Sequence, residues 1–101
     1  MAVPKAVSVG TSATELIAQN EARTKIHIQN LHASTKLYLG QDNTVTISNG
    51  FEVAAASATP ASSYVEERTV ENSDFFYWGA IWGIVASSTV DVRVWEKERI
   101  R

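Results

Sequence analysis

His27 and His32 are the side chains best suited to acid/base work or metal ligation near neutral pH, and they stand five positions apart. A mononuclear metal site would need a third donor such as Asp42 or Glu52, and the histidine pair that a helix uses to bind zinc is absent. Serine, threonine, histidine and aspartate are all present, but no Gly-x-Ser-x-Gly turn raises a serine as a nucleophile. Glu66 and Glu67 are adjacent, so on a strand they point to opposite faces and do not pair as acid and base. Gly40 and Gly50 are too far apart to cradle a phosphate, and no lysine stands in a Walker-type motif. The chain has no cysteine, which removes thiolate nucleophiles, zinc–thiolate and iron–sulfur ligation, and disulfides. These residues predict a protein that is not an enzyme and uses no metal or cofactor.

The chemistry that the spacing does favour is apolar contact. Phe75, Phe76, Tyr77, Trp78 and Trp82 place five of the nine aromatic residues within eight positions. In an extended chain Phe75, Tyr77 and Gly79 share one phase and Phe76, Trp78 and Ala80 the other. A small domain can bury one such face in its own core; the second then needs a partner, because contiguous exposed apolar patches are uncommon on monomers and aromatics are enriched at interface centres, the alternatives being burial in the core alone or a platform that stacks on a sugar or base. Trp95 joins this set. Val90, Val92 and Val94 alternate with Asp91, Arg93 and Trp95, so the tryptophan falls on the face that would otherwise be wet. The interface candidates are Phe75, Phe76, Tyr77, Trp78, Trp82 and Trp95, with Val3 and Pro4 in an N-terminal arm (residues 1–5). Proline suits only the start or edge of a strand.

The elements that must position these residues follow a two-residue period. Ile26 and Ile28 share a face with Thr24, opposite Arg23, Lys25, His27 and Gln29. Leu37 pairs with Leu39, and Val45 with Ile47, while the valines of residues 89–95 give the clearest alternation. Weaker strands precede these at residues 6–9 and 13–18, the second of which could instead be a helical turn. The Asn49-Gly50 dipeptide suits a type I′ hairpin turn. Residues 54–63 are rich in alanine and serine and read as a loop; residues 64–70 read as a strand with an acidic flank; residues 96–101 read as a solvated tail. Short strands separated by turn signals predict an all-β single domain, an antiparallel β-sandwich or small Greek-key or jelly-roll-like barrel.

Composition sets further limits. A chain of 101 residues buries only about 60–70% of its unfolded surface, so self-association or a larger partner is an expected source of stability. Nine Lys and Arg against eleven Asp and Glu, with no basic block, argue against nucleic acid as a partner. The longest hydrophobic-leaning run, residues 75–86, contains two glycines and is short of the roughly 20 residues that span a bilayer, so no membrane partner is expected and the chain reads as soluble and made in a cytoplasm.

The stretches Asn30 to Gly50, with Leu37-Tyr38-Leu39-Gly40 and Val45-Thr46-Ile47-Ser48-Asn49-Gly50, and later Gly83-Ile84-Val85-Ala86-Ser87-Ser88-Thr89-Val90-Asp91-Val92-Arg93-Val94-Trp95-Glu96 resemble those of a class of small structural proteins of tailed bacteriophages. The resemblance covers about half of the chain and rests on strands and turns. Residues 54–82 depart from the pattern, which has a shorter connection containing proline and glycine. The resemblance implies a β-sandwich displayed on a virion, a capsid decoration (cement) protein whose partners are the major capsid protein and copies of itself, as a homotrimer. The alternative is a tail, baseplate or fibre module that binds carbohydrate or a receptor, with one or two of Trp78, Trp82 and Trp95 exposed.

Overall fold

The computed structural model describes residues 5–55, 63–69 and 76–98. Within them the chain forms eight strands: β1 Lys5–Val9, β2 Thr14–Ile17, β3 Arg23–Asn30, β4 Leu37–Gly40, β5 Phe51–Val53, β6 Ser63–Glu67, β7 Ile81–Ile84 and β8 Val90–Glu98. The pairing is nested. β1 runs antiparallel to β8, β2 to β7, β3 to β6 and β4 to β5, as in one long ribbon with β4 and β5 at its tip. The ribbon is bent so that β3 also pairs with β8 and β4 with β7, giving two sheets of order β1-β8-β3-β6 and β2-β7-β4-β5. That is the jelly roll, and it settles a strand order that periodicity does not encode.

The core lies between the sheets. Val9, Ile26, Ile28, Val90, Val92 and Val94 from one sheet meet Leu16, Ile17, Leu37, Leu39, Val53 and Ile81 from the other. The alternation expected for residues 89–95 holds: the three valines are buried, and Asp91, Arg93 and Trp95 are exposed. The segment around residues 13–18 is a strand, with Leu16 and Ile17 buried, rather than a helical turn.

Residues 44–48 are not a strand. Val45 is buried, but Ile47, its expected face partner, is 47% exposed. Polar side chains here satisfy the backbone locally instead of leaving it to a ladder. Asp42 accepts from the Thr44 N–H at 2.9 Å and from the Thr44 hydroxyl, and Asn49 Oδ1 accepts from the Thr46 N–H at 2.7 Å. The Thr46 hydroxyl accepts from the N–H groups of Ser48 and Asn49, both at 3.2 Å. The strand that the sequence reading lacked, β5, begins only at Phe51. Asn49-Gly50 forms no type I′ turn, since the only positive φ among the described residues is at Ser88 (66°). The glycines of this region serve close packing: a Cβ on Gly40 would lie 2.5 Å from Val45 Cβ, and one on Gly50 2.7 Å from Tyr38 Cβ.

Both ends of the long strands also differ from expectation. Arg23, which alternation places on the wet face of β3, is fully buried, because the register with β8 shifts between Arg23 and Lys25 and turns the side chain inward. Residues 96–98 continue β8 instead of starting a solvated tail, and Glu96 is tied to Arg23. Lys5 opens β1 rather than closing an arm; Val3, Pro4, residues 56–62 and residues 99–101 lie outside the described residues.

Candidate interaction surfaces

The aromatic run does not alternate as a strand. Residues 76–80 precede β7 as irregular backbone, so Phe76 and Trp78, expected on one face, part company: Phe76 is buried and Trp78 is 40% exposed. Tyr77 packs against the core and donates its hydroxyl to Ala80 O at 2.6 Å. Burial raises the Tyr77 hydroxyl above its ordinary pKa, and the Arg23 guanidinium pulls it the other way. Trp82, on the outer side of β7, is half-buried opposite Glu15 and Gly40. Phe75 lies outside the described residues.

Three consecutive carbonyls hold this segment in place. Arg23 Nη1 donates to Gly79 O at 3.1 Å and, more weakly, to Tyr77 O at 3.4 Å, while the Asn20 N–H donates to Trp78 O at 2.8 Å. Arg23 Nη2 reaches Ala18 O at 3.0 Å and Nε reaches Glu96 Oε2 at 2.9 Å. Asn20 Nδ2 donates to both Glu96 Oε1 (3.2 Å) and Glu98 Oε2 (2.8 Å). A buried cation with a half-buried carboxylate thus fixes the backbone from which Trp78 projects, and Arg23, Asn20 and Glu96 are the residues that sequence reasoning missed. An arginine at the start of an alternating strand offered no sign that it would turn inward.

A second surface is the outer face of the β1-β8-β3-β6 sheet. Register sets His27 opposite Trp95 on one side and Val65 on the other, forming one row across three strands. Trp95 is 44% exposed and Val65 51%. His27 Nε2 is shielded from solvent and has no hydrogen-bond partner among the described residues. Lys25, His27, Trp95 and Lys97 line one shallow hollow beside this row, and His27, Gln29, Arg93 and Trp95 line another.

The third is a cleft of about 250 Å³ where the sheets part, lined by Leu39, Gln41, Phe51, Tyr64, Tyr77 and Ile81 among others. Phe51, exposed, meets Tyr64 edge-on with ring centres 5.4 Å apart. Both tyrosine hydroxyls are committed, that of Tyr64 to Glu66 Oε1 at 3.0 Å. Burial first, then the bond to Glu66 and its charge, push the Tyr64 pKa up to about 12. The cleft therefore presents apolar surface with few free polar groups, which suits an inserted side chain better than a reacting substrate.

The two histidines are not neighbours in role. His27 lies on the sheet face, whereas His32 accepts at Nδ1 from the N–H groups of Ser34 (3.1 Å) and Thr35 (3.0 Å) and shapes the turn after β3. Among the described residues no group of three or more His, Asp or Glu side chains is placed to hold a metal ion. No protein-family model matches the chain, and comparison with curated proteins and with solved structures likewise finds no match.

Proposed function

We propose that the chain is a capsid decoration protein of a tailed bacteriophage, binding the assembled shell together with copies of itself as a trimer and stabilising the shell by mass action. A ligand that binds only the assembled lattice raises the free energy needed to open it, and many copies multiply the effect. The observation that carries this reading is the row on a regular sheet face in which exposed Trp95 and Val65 flank the half-buried His27, an apolar surface of the kind that protein interfaces cover. The resemblance in residues 30–50 and 83–96 supports it, as does the jelly roll, a fold used in viral capsids but also in lectins and therefore not decisive alone. The test is to mix the purified chain with expanded empty shells of the phage that encodes it and to sediment them. Decoration predicts uptake to a fixed copy number set by the lattice, together with a trimer by light scattering. No uptake at any concentration refutes the reading.

One observation favours a second reading. Trp78 and Trp95 are both exposed, as a carbohydrate- or receptor-binding module of a tail or fibre requires. That module would bind on a glycan array and lose binding with Trp95→Ala; silence on the array refutes it.

A further inference from the structure

The outer face of the β1-β8-β3-β6 sheet reverses the charge of the chain that carries it. The chain has a formal net charge of −2. On this face β8 presents Asp91, Arg93, Trp95 and Lys97, all exposed, and β3 places Lys25, His27 and Gln29 on the same side. Lys25 stands opposite Lys97 on one neighbour and Glu67 on the other, and Gln29 stands opposite Arg93 and Ser63. The apolar row is thus flanked by Lys25 and Lys97 on one side and Arg93 on the other, three cations against the two anions of the face, Glu67 and Asp91. None of these three has an ion-pair partner among the described residues.

The Lys25–Lys97 register is informative in itself. Like charges directly across a strand pair are destabilising; Glu67, across Lys25 on the other side, offsets part of this, and an anion laid against Lys97 would relieve the rest. His27 Nε2, shielded beside the same hollow, lacks a partner there as well. We propose that this face docks an acidic segment of a partner protein, whose carboxylates meet Lys25, Lys97 and Arg93 and whose apolar side chains cover Trp95 and Val65. A sulfated or uronic sugar would match the cations and stack on Trp95 but would leave Val65 uncovered, so a protein fits more of the surface. The proposal rests on the decoration reading only for the identity of that protein, the capsid shell.

The experiment has two arms. In the first, shells are titrated with wild type, with Lys97→Gln, with Lys25→Gln plus Lys97→Gln, with Trp95→Ser and with Ile47→Ser, which lies off the face. Wild-type affinity is expected to fall about tenfold or more between roughly 50 and 500 mM salt. The double lysine variant and Trp95→Ser should each bind about tenfold more weakly, and Ile47→Ser as wild type. Lys97→Gln should weaken binding while leaving the melting temperature unchanged or higher, which loss of a structural lysine would not do. Binding that ignores salt and both lysines overturns the proposal. In the second arm, poly-L-glutamate and a heparin oligosaccharide are titrated while the fluorescence of Trp95 is followed in a Trp78→Phe, Trp82→Phe background. If shells do not bind, the decoration reading fails, and this arm decides the face. A lysine-dependent response to poly-L-glutamate upholds an acidic protein partner; a response to heparin alone, or to neither, overturns it.

Discussion

Replacing Arg23 by methionine tests whether the cation beneath the aromatic segment is what holds it. The guanidinium is fully buried and makes an ion pair with Glu96 and hydrogen bonds to three carbonyls, those of Ala18, Tyr77 and Gly79. Methionine fills much of the same volume but leaves those carbonyls without their donor, and leaves Glu96, whose side chain is only 19% exposed, with Asn20 as its partner. Breaking one partner out of a buried pair costs about 3–5 kcal/mol. A domain of this size has about 5–15 kcal/mol in all and loses about 4–8 °C of melting temperature per kcal/mol. Arg23→Met should therefore lower the midpoint by about 15 °C or more, measured by circular dichroism. In a Trp82→Phe, Trp95→Phe background it should also make Trp78 easier to quench with acrylamide. Adding Glu96→Met should recover part of the loss, because an apolar pair avoids the desolvation that the ion pair carries. A midpoint within about 5 °C of wild type, with unchanged quenching, would refute the assignment of Arg23 as the clamp.

Other expectations follow from local geometry. Tyr64 should ionise well after a free tyrosine in an absorbance titration near 295 nm. Its folded pKa of about 12 lies above the ordinary 10, so the stability it contributes is present below pH 10 and is lost as pH rises toward 12; Glu66→Gln should bring its titration down part of the way, and an unchanged curve would remove Glu66 as a cause. Gly40→Ala places a methyl against Val45 and should cost about 1–3 kcal/mol in denaturant melts, and an unchanged midpoint would show that the close approach of Gly40 to Val45 is not what requires the glycine. Ser88→Gly relieves a left-handed backbone but frees the unfolded chain, so a gain of up to about 1 kcal/mol is expected, and a clear loss would show that the Ser88 side chain matters.

The parts of the fold that were legible in the sequence are those where one residue type repeats on one face. The valines of β8 and the isoleucines of β3 had to face the core, and they do. The segment around Val45 misled because alternation of apolar residues with threonine and serine suits a strand equally well as a turn in which those hydroxyls bind their own backbone. Strand order was illegible for a different reason: nested pairing is a property of the whole ribbon, and no local period records it. Of the aromatic set, Trp95 could be placed because it sits in a regular strand. Trp78 and Phe76 could not, because their backbone is held by tertiary hydrogen bonds from Arg23 and Asn20.

The alternation of β8 links the two apolar surfaces. Trp95 and Glu96 are adjacent, so the pleat sends them to opposite faces of one sheet: the tryptophan out to the exposed row, the carboxylate in to Arg23. Arg23 in turn grips the carbonyls on either side of Trp78. β8 and β3 are also the two inner strands of their sheet, paired on both sides, so Trp95 and His27 stand on backbone held by ladders on either side, while Val65 completes the row from the edge strand β6. A rigid face and a clamped loop reduce the ordering that binding must impose on the side chains they present. For a chain of 101 residues without disulfides, that preorganisation comes from a buried cation and a continuous ladder, and the same two features that hold the fold hold the tryptophans in place for a partner.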